Sequence, residues 1–192
     1  MGIPTLIKTE TASDSASLAF VDGASDVTLD STYDEYMFVC TDINPATDQA
    51  HFSFQVNATD DAGGGYDTSL ITSSAFQAYH KEDGSASSLA YRAGDDLAQS
   101  ASFQRLKGEV ANDADGSCAG ILHLFSPAST TYVKHFYAHF VGMNPSDNID
   151  DEYVAGYIND TTAIDEIQFK MSSGNYDETW FYCWVYQCYS SN

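Results

Sequence analysis

Apolar and polar residues alternate along most of this chain with a period of two, the signature of strands with one face turned to a core. HFSFQV puts Phe52, Phe54 and Val56 on one side and Ser53 and Gln55 on the other. IDEIQFKM sets Ile167, Phe169 and Met171 against Glu166, Gln168 and Lys170. In YDEYMFVC both sides are apolar, Tyr36, Phe38 and Cys40 against Met37 and Val39, which predicts a central strand covered on both faces. CAGILHLF and YVKHFYAHF read the same way, joined by SPAST, a turn with a proline. The last run, ETWFYCWVYQCY, is β-branched or aromatic at most positions and predicts a strand over about 178–190.

Turns separate these runs: VDGASD, DAGGGYD, KEDGSAS, ANDADGS, NPSDN and MSSGNYD. They hold most of the glycine and acid. No stretch has a helical period, and DDLAQSASFQRLKGEV reads as a loop followed by a strand. There is no internal repeat and no Pro- or Gly-rich linker. About nine or ten strands in one domain over residues 1–192 predict an all-β fold, an antiparallel two-sheet β-sandwich of jelly-roll-like form.

Charge changes the picture next. Twenty-eight acids face seven bases, for a formal charge of −21. A groove that follows phosphates needs clustered Lys and Arg, so nucleic acid is not an expected partner, and neither is an anionic membrane. No run of about eighteen apolar residues is present to span a bilayer. The N-terminus lacks a basic segment followed by an apolar one, so export by that route is not expected.

Candidate chemistry is sparse. Calcium takes several carboxylate and carbonyl oxygens, and Asp113, Asp115 and Gly116 in NDADG resemble the start of a calcium loop. Asp113 and Asp115 are therefore the candidate metal ligands, and calcium the one candidate cofactor. Asp60, Asp61 and Asp67 form a second acidic cluster, and Asp147, Asp150, Asp151 and Glu152 a third. None has the full spacing of an EF-hand loop, and acidic residues are also ordinary turn formers. His135 and His139 have the spacing that chelates zinc on a helix, but four residues of strand span about 13 Å, too far for one ion. Cys40, Cys118, Cys183 and Cys188 form no C-x-x-C pair and are expected to be reduced and mostly buried. Nucleophile elbow, P-loop and H-E-x-x-H motifs are all missing, so no catalytic residue is assigned and no enzyme is expected.

Core packing accounts for most aromatics, since they lie at alternating strand positions. The C-terminal run has large rings on both faces and is the exception. Trp180, Phe181, Tyr182, Trp184 and Tyr186 are expected to be buried, in the sheet centre or against another subunit.

Four stretches, DINPATDQAHFSFQ, YRAGDDLAQSASFQ, FSPASTTYVKHFYA and YVAGYINDTTAIDEIQFKMSSGN, together resemble a group of small structural proteins from the virions of tailed bacteriophages of marine bacteria. The resemblance runs from about Leu6 to about Asn175 and implies no catalytic residues. The aromatic end departs from that group's shorter final strand. What the resemblance implies is a protein folded in the host cytoplasm and exposed on the particle. The expected role is head decoration or cement, as a homo-oligomer (a trimer is one form) beside other virion proteins such as the major capsid protein. The alternative is a tail-fibre or tail-tip module that holds a host-surface glycan, with Tyr66 beside Asp67 and Tyr176 beside Asp177 as contacts.

Overall fold

A computed structural model describes residues 4–60, 66 and 69–176 in full and the backbone of 181–188. Trp180, Asp61, Asp67, Asp177 and the glycines of DAGGGYD lie outside the described residues, as do the side chains of Phe181, Tyr182, Trp184 and Tyr186.

The described chain is all strand and loop: β1 (Thr5–Ala12), β2 (Ser17–Val21), β3 (Glu35–Ile43), β4 (Ala50–Ala58), β5 (Ile71–Lys81), β6 (Ser87–Tyr91), β7 (Gln104–Val110), β8 (Cys118–Phe125), β9 (Lys134–Asn144), β10 (Asn148–Ile158), β11 (Ile164–Met171) and β12 (Phe181–Cys188). That is more strands than the alternation alone identifies. β2 and β6 have five residues each, too short to show a clear period, and β1 is largely polar. No helix among the described residues is long and apolar enough to cross a membrane.

Two antiparallel sheets pack as a sandwich. The large one has the order β1-β12-β3-β8-β9-β10-β5-β6, and the small one β2-β11-β4-β7. No two strands of the small sheet are consecutive in the chain, so the chain crosses between layers each time it supplies one. This exchange between layers gives the jelly-roll-like character and closes one core between the sheets. Phe169 lies near the core's centre. Its ring stacks on Phe52 at 5.7 Å and 10°, and lies 5.7 Å from Phe38, 6.4 Å from Phe54 and 6.5 Å from Phe20.

Glycine makes room for these rings on the inner face of the large sheet. Gly120 stands opposite Phe140, and Gly156 opposite Phe136. A methyl at Gly120 would collide with the His139 carbonyl and the Phe140 ring. These are strand glycines that let neighbouring rings lie close, and their φ angles are ordinary.

Three expectations need correction. First, Ser53 and Gln55 do not face water: both are buried, as is Asn57. Two loops lie over that side of β4, and the Gln55 amide donates to the carbonyls of Ser69, Ala101 and Ser102 at 3.1–3.3 Å. Second, β3 is central, between β12 and β8, but Met37 and Val39 are only half-buried. Third, β8 and β9 are likewise open on one side, for the reason given below. β12, the aromatic strand, runs inside the sheet between β1 and β3 and not along an edge.

Candidate functional site

The exposed side of the large sheet is the most unusual surface of the molecule. β9 alternates without a break. Lys134, Phe136, Ala138 and Phe140 point inward, while His135, Tyr137, His139 and Val141 are exposed. Large exposed residues from neighbouring strands share that outer face: Phe76, Tyr91, Ile149 and Tyr153. Many aromatics assigned to the core by alternation are therefore on the outside. The period of two separates the faces of a strand, but when both are apolar it does not say which is wet.

Register lines these residues into rows across the strands. Tyr91 stands opposite Phe76, Phe76 opposite Tyr153, Tyr153 opposite His139, His139 opposite Ile121, and Ile121 opposite Val39. The next row runs Met37, His123, Tyr137, Ala155 and Ser74. In backbone register these rows continue to Trp184, opposite Val39, and Tyr186, opposite Met37. Tyr182 pairs with Thr41 and Phe181 with Ala12.

The rings within a row stack on one another. Tyr153 lies between Phe76, at 5.0 Å and 9°, and His139, at 4.0 Å and 11°. Tyr137 stacks on His123 at 4.4 Å and 17°. Both faces of Tyr153 are thus taken by neighbours, and its edge is left for a partner. Stacks of this kind suit packing against another protein surface.

The surface is also nearly free of charge, in a chain that carries −21. The two rows hold no Lys, Arg, Asp or Glu. The acids beside them are held by the row's own histidines: Asp151 bonds His139 Nε2, and Glu35 Oε1 lies 2.6 Å from His123 Nδ1.

Behind this face lies a buried charged network. Lys107 Nζ is 3.1 Å from Glu152 Oε1 and 3.2 Å from Asp150 Oδ2, with all three side chains at most 4% exposed. The Gly108 amide donates to both Glu152 oxygens, Gln77 donates to Oε1, and Asn144 donates to Asp150. Burial opposes the Lys107 charge, but Glu152 and Asp150 outweigh it and hold the ammonium above its ordinary pKa. Burial pushes the Glu152 carboxyl up, against the pull of Lys107 and the Gly108 amide. The network is closed to solvent and joins β7 to β10 across the sandwich. Sequence spacing hid it. Phe52 pairs with Lys107, and register shifts on both sides of that pair turn the lysine inward.

The acidic candidates disperse. Asp150 and Glu152 belong to the buried network, Asp151 points to the opposite face, and Asp147 sits in the β9–β10 turn. Asp113 and Asp115 lie in the turn between β7 and β8. There the Asn44 amide takes the carbonyls of Asp113, at 2.9 Å, and Gly116. Among the described residues no three His, Cys, Asp or Glu converge to hold a metal. His135 and His139 are strand histidines on β9, as the aromatic strand-like run around them predicts. Cys40 and Cys118 are buried in the core, where burial drives the Cys118 thiol far above its usual pKa. Tyr176 is not a glycan contact: it is 1% exposed, with its ring 6.4 Å from Phe52. Tyr66 is half-buried and hydrogen-bonded to Glu166.

No family model matches the chain, and comparison with curated proteins and with solved structures gives no significant match.

Proposed function

We propose that this protein is a non-enzymatic structural component of a tailed-phage virion, exposed on the particle as a head decoration protein. The phage setting rests on the resemblance of the four stretches quoted above. The docking role rests on one observation: the charge-poor, ring-stacked outer face of the eight-stranded sheet. Contiguous apolar surface of this kind is costly in water and typically marks an interface. Low charge with aromatic enrichment is the composition of an interface core. The partner is a neighbouring virion protein, the major capsid protein or a further copy of this chain. The sheet face is buried against it, and the acidic loops remain in solvent. Ordinary salt screens the repulsion among them over about 8–10 Å.

Quantitative mass spectrometry of purified virions tests the reading. Copies comparable in number to the major capsid protein are expected. Absence from the particle overturns the proposal, and a few copies per particle moves the protein to the tail or a vertex. Tyr153→Lys and Val141→Glu, which place charge on the face, are expected to abolish incorporation while leaving the monomer folded.

A further inference from the structure

A second surface feature lies at one end of the sandwich, where the β2–β3 and β8–β9 loops meet. They enclose a recess of about 230 Å3 lined by Tyr33, Tyr132, Ser31, Ser126, Ser129 and Asp34. We propose that this recess binds one neutral pyranose ring, as a terminal or branch sugar of a glycan.

The lining matches that chemistry. A pyranose has apolar C–H faces and a rim of hydroxyls, so its site needs aromatic walls and short polar groups that both donate and accept. Two tyrosines supply the walls and three serines the short hydroxyls. No Lys, Arg or His lines the recess, and the chain's charge of −21 repels anions, which excludes a phosphate or a sulfated sugar. The volume lies below the roughly 300–1,000 Å3 of sites for larger ligands, as one ring requires.

The backbone around the recess is set before any ligand arrives. The Ser126 amide donates to the Asp34 carbonyl at 2.7 Å and ties the loops together. Ser129 Oγ accepts from the amides of Thr131 and Tyr132 at 3.2 and 3.0 Å, which fixes the backbone under Tyr132. Tyr33 packs edge to face with buried Tyr36, at 6.3 Å and 87°, and the Tyr36 hydroxyl donates to the Asp30 carbonyl at 2.9 Å. Tyr132 nonetheless leaves 73% of its surface in water.

Occupancy of this recess is independent of what covers the sheet face. The test is an NMR titration of the full chain with methyl hexopyranosides of gluco, galacto and manno configuration. Saturable shifts at Tyr33, Ser129 and Tyr132 are expected with at least one epimer, at millimolar concentration. Tyr132→Ala is expected to weaken that binding about tenfold, equivalent to about 1.4 kcal/mol, with spectra otherwise unchanged. Leu89→Ala, an exposed change on β6, is expected to leave it intact. No shift with any neutral pyranoside overturns the proposal. So does tetramethylammonium shifting the same residues at lower concentration than every sugar, which makes the recess a cation site. Equal loss in Leu89→Ala and Tyr132→Ala also overturns it.

Discussion

The ammonium of Lys107 lies 3.1 Å from Oε1 of Glu152, and both side chains are sealed from water in the sandwich. One cation is set between two carboxylates, Glu152 and Asp150, so removing it leaves two buried acids facing each other. Lys107→Met is expected to cost about 3–5 kcal/mol at neutral pH, read by urea denaturation. Without the ammonium the pull of Lys107 on Glu152 is gone, and burial holds that carboxyl still further above its unfolded value in the folded state. A raised folded pKa favours the fold at low pH and loses that advantage as pH rises through it. The variant's deficit should therefore shrink from pH 7 to pH 5. A deficit under about 1 kcal/mol at pH 7, the scale of a surface ion pair, would make the network incidental.

Asp95 carries the opposite sign. Burial alone would raise its carboxyl, but hydrogen bonds from Arg105, at 2.8 Å, and Arg92, at 3.0 Å, outweigh it and hold the group below its ordinary value. A depressed folded pKa contributes stability above the unfolded value of about 3.9, and that stability is lost as pH falls. Asp95→Asn is expected to destabilise by about 1–3 kcal/mol at pH 7. The gap between variant and parent should close below about pH 4. A gap independent of pH would show that the loss in the variant does not come from the carboxylate charge.

Phe169 touches rings from both layers, and truncating it opens a void that neither sheet can close. Phe169→Ala is expected to cost about 3–5 kcal/mol. Thermal unfolding should stay cooperative but shift to lower temperature. A loss no larger than that of an exposed change such as Leu89→Ala would contradict the placement of Phe169 at the centre.

Gly120→Ala adds one methyl against the His139 carbonyl and the Phe140 ring. Backbone on one side and a packed ring on the other leave it no exit. The expected cost is about 1–3 kcal/mol of overpacking, visible as a lower urea midpoint. Gly94→Ala, where an added methyl meets nothing within 4 Å, is the control and should be near neutral.

On the outer face the expectation reverses. Tyr153→Ser removes the middle of the Phe76–Tyr153–His139 stack but opens no buried cavity. Monomer stability should change by less than about 1.5 kcal/mol, while association with the particle or among copies falls sharply. Sedimentation velocity and particle pull-down read the two effects separately. Loss of the fold with loss of binding would mean that the stack holds the sheet together.

The alternation in HFSFQV, IDEIQFKM and KHFYAHF was enough to place β4, β11 and β9 and to predict two antiparallel layers. Phe52, Phe54, Ile167 and Phe169 turn inward as read. The same signal failed at three kinds of position. Ser53, Gln55 and Asn57 are polar and buried, because distant loops bring backbone carbonyls to them. Lys107 is charged and buried, because a local register shift reverses its face. Tyr137, Tyr153 and Phe76 are aromatic and exposed, because no third layer of the described residues covers them.

The sequence by itself determined the strand period, the acidic balance, the turn chemistry and hence an all-β sandwich. Each of these is local: a side chain's face follows from its neighbours two residues away, and a turn from the residues within it. Only the tertiary structure decided which apolar face became core, how Asp150 and Glu152 came to Lys107, and how two loops about ninety-five residues apart enclose Tyr33 and Tyr132. Those outcomes depend on contacts between distant segments, and a period of two along one strand says nothing about what lies across from it.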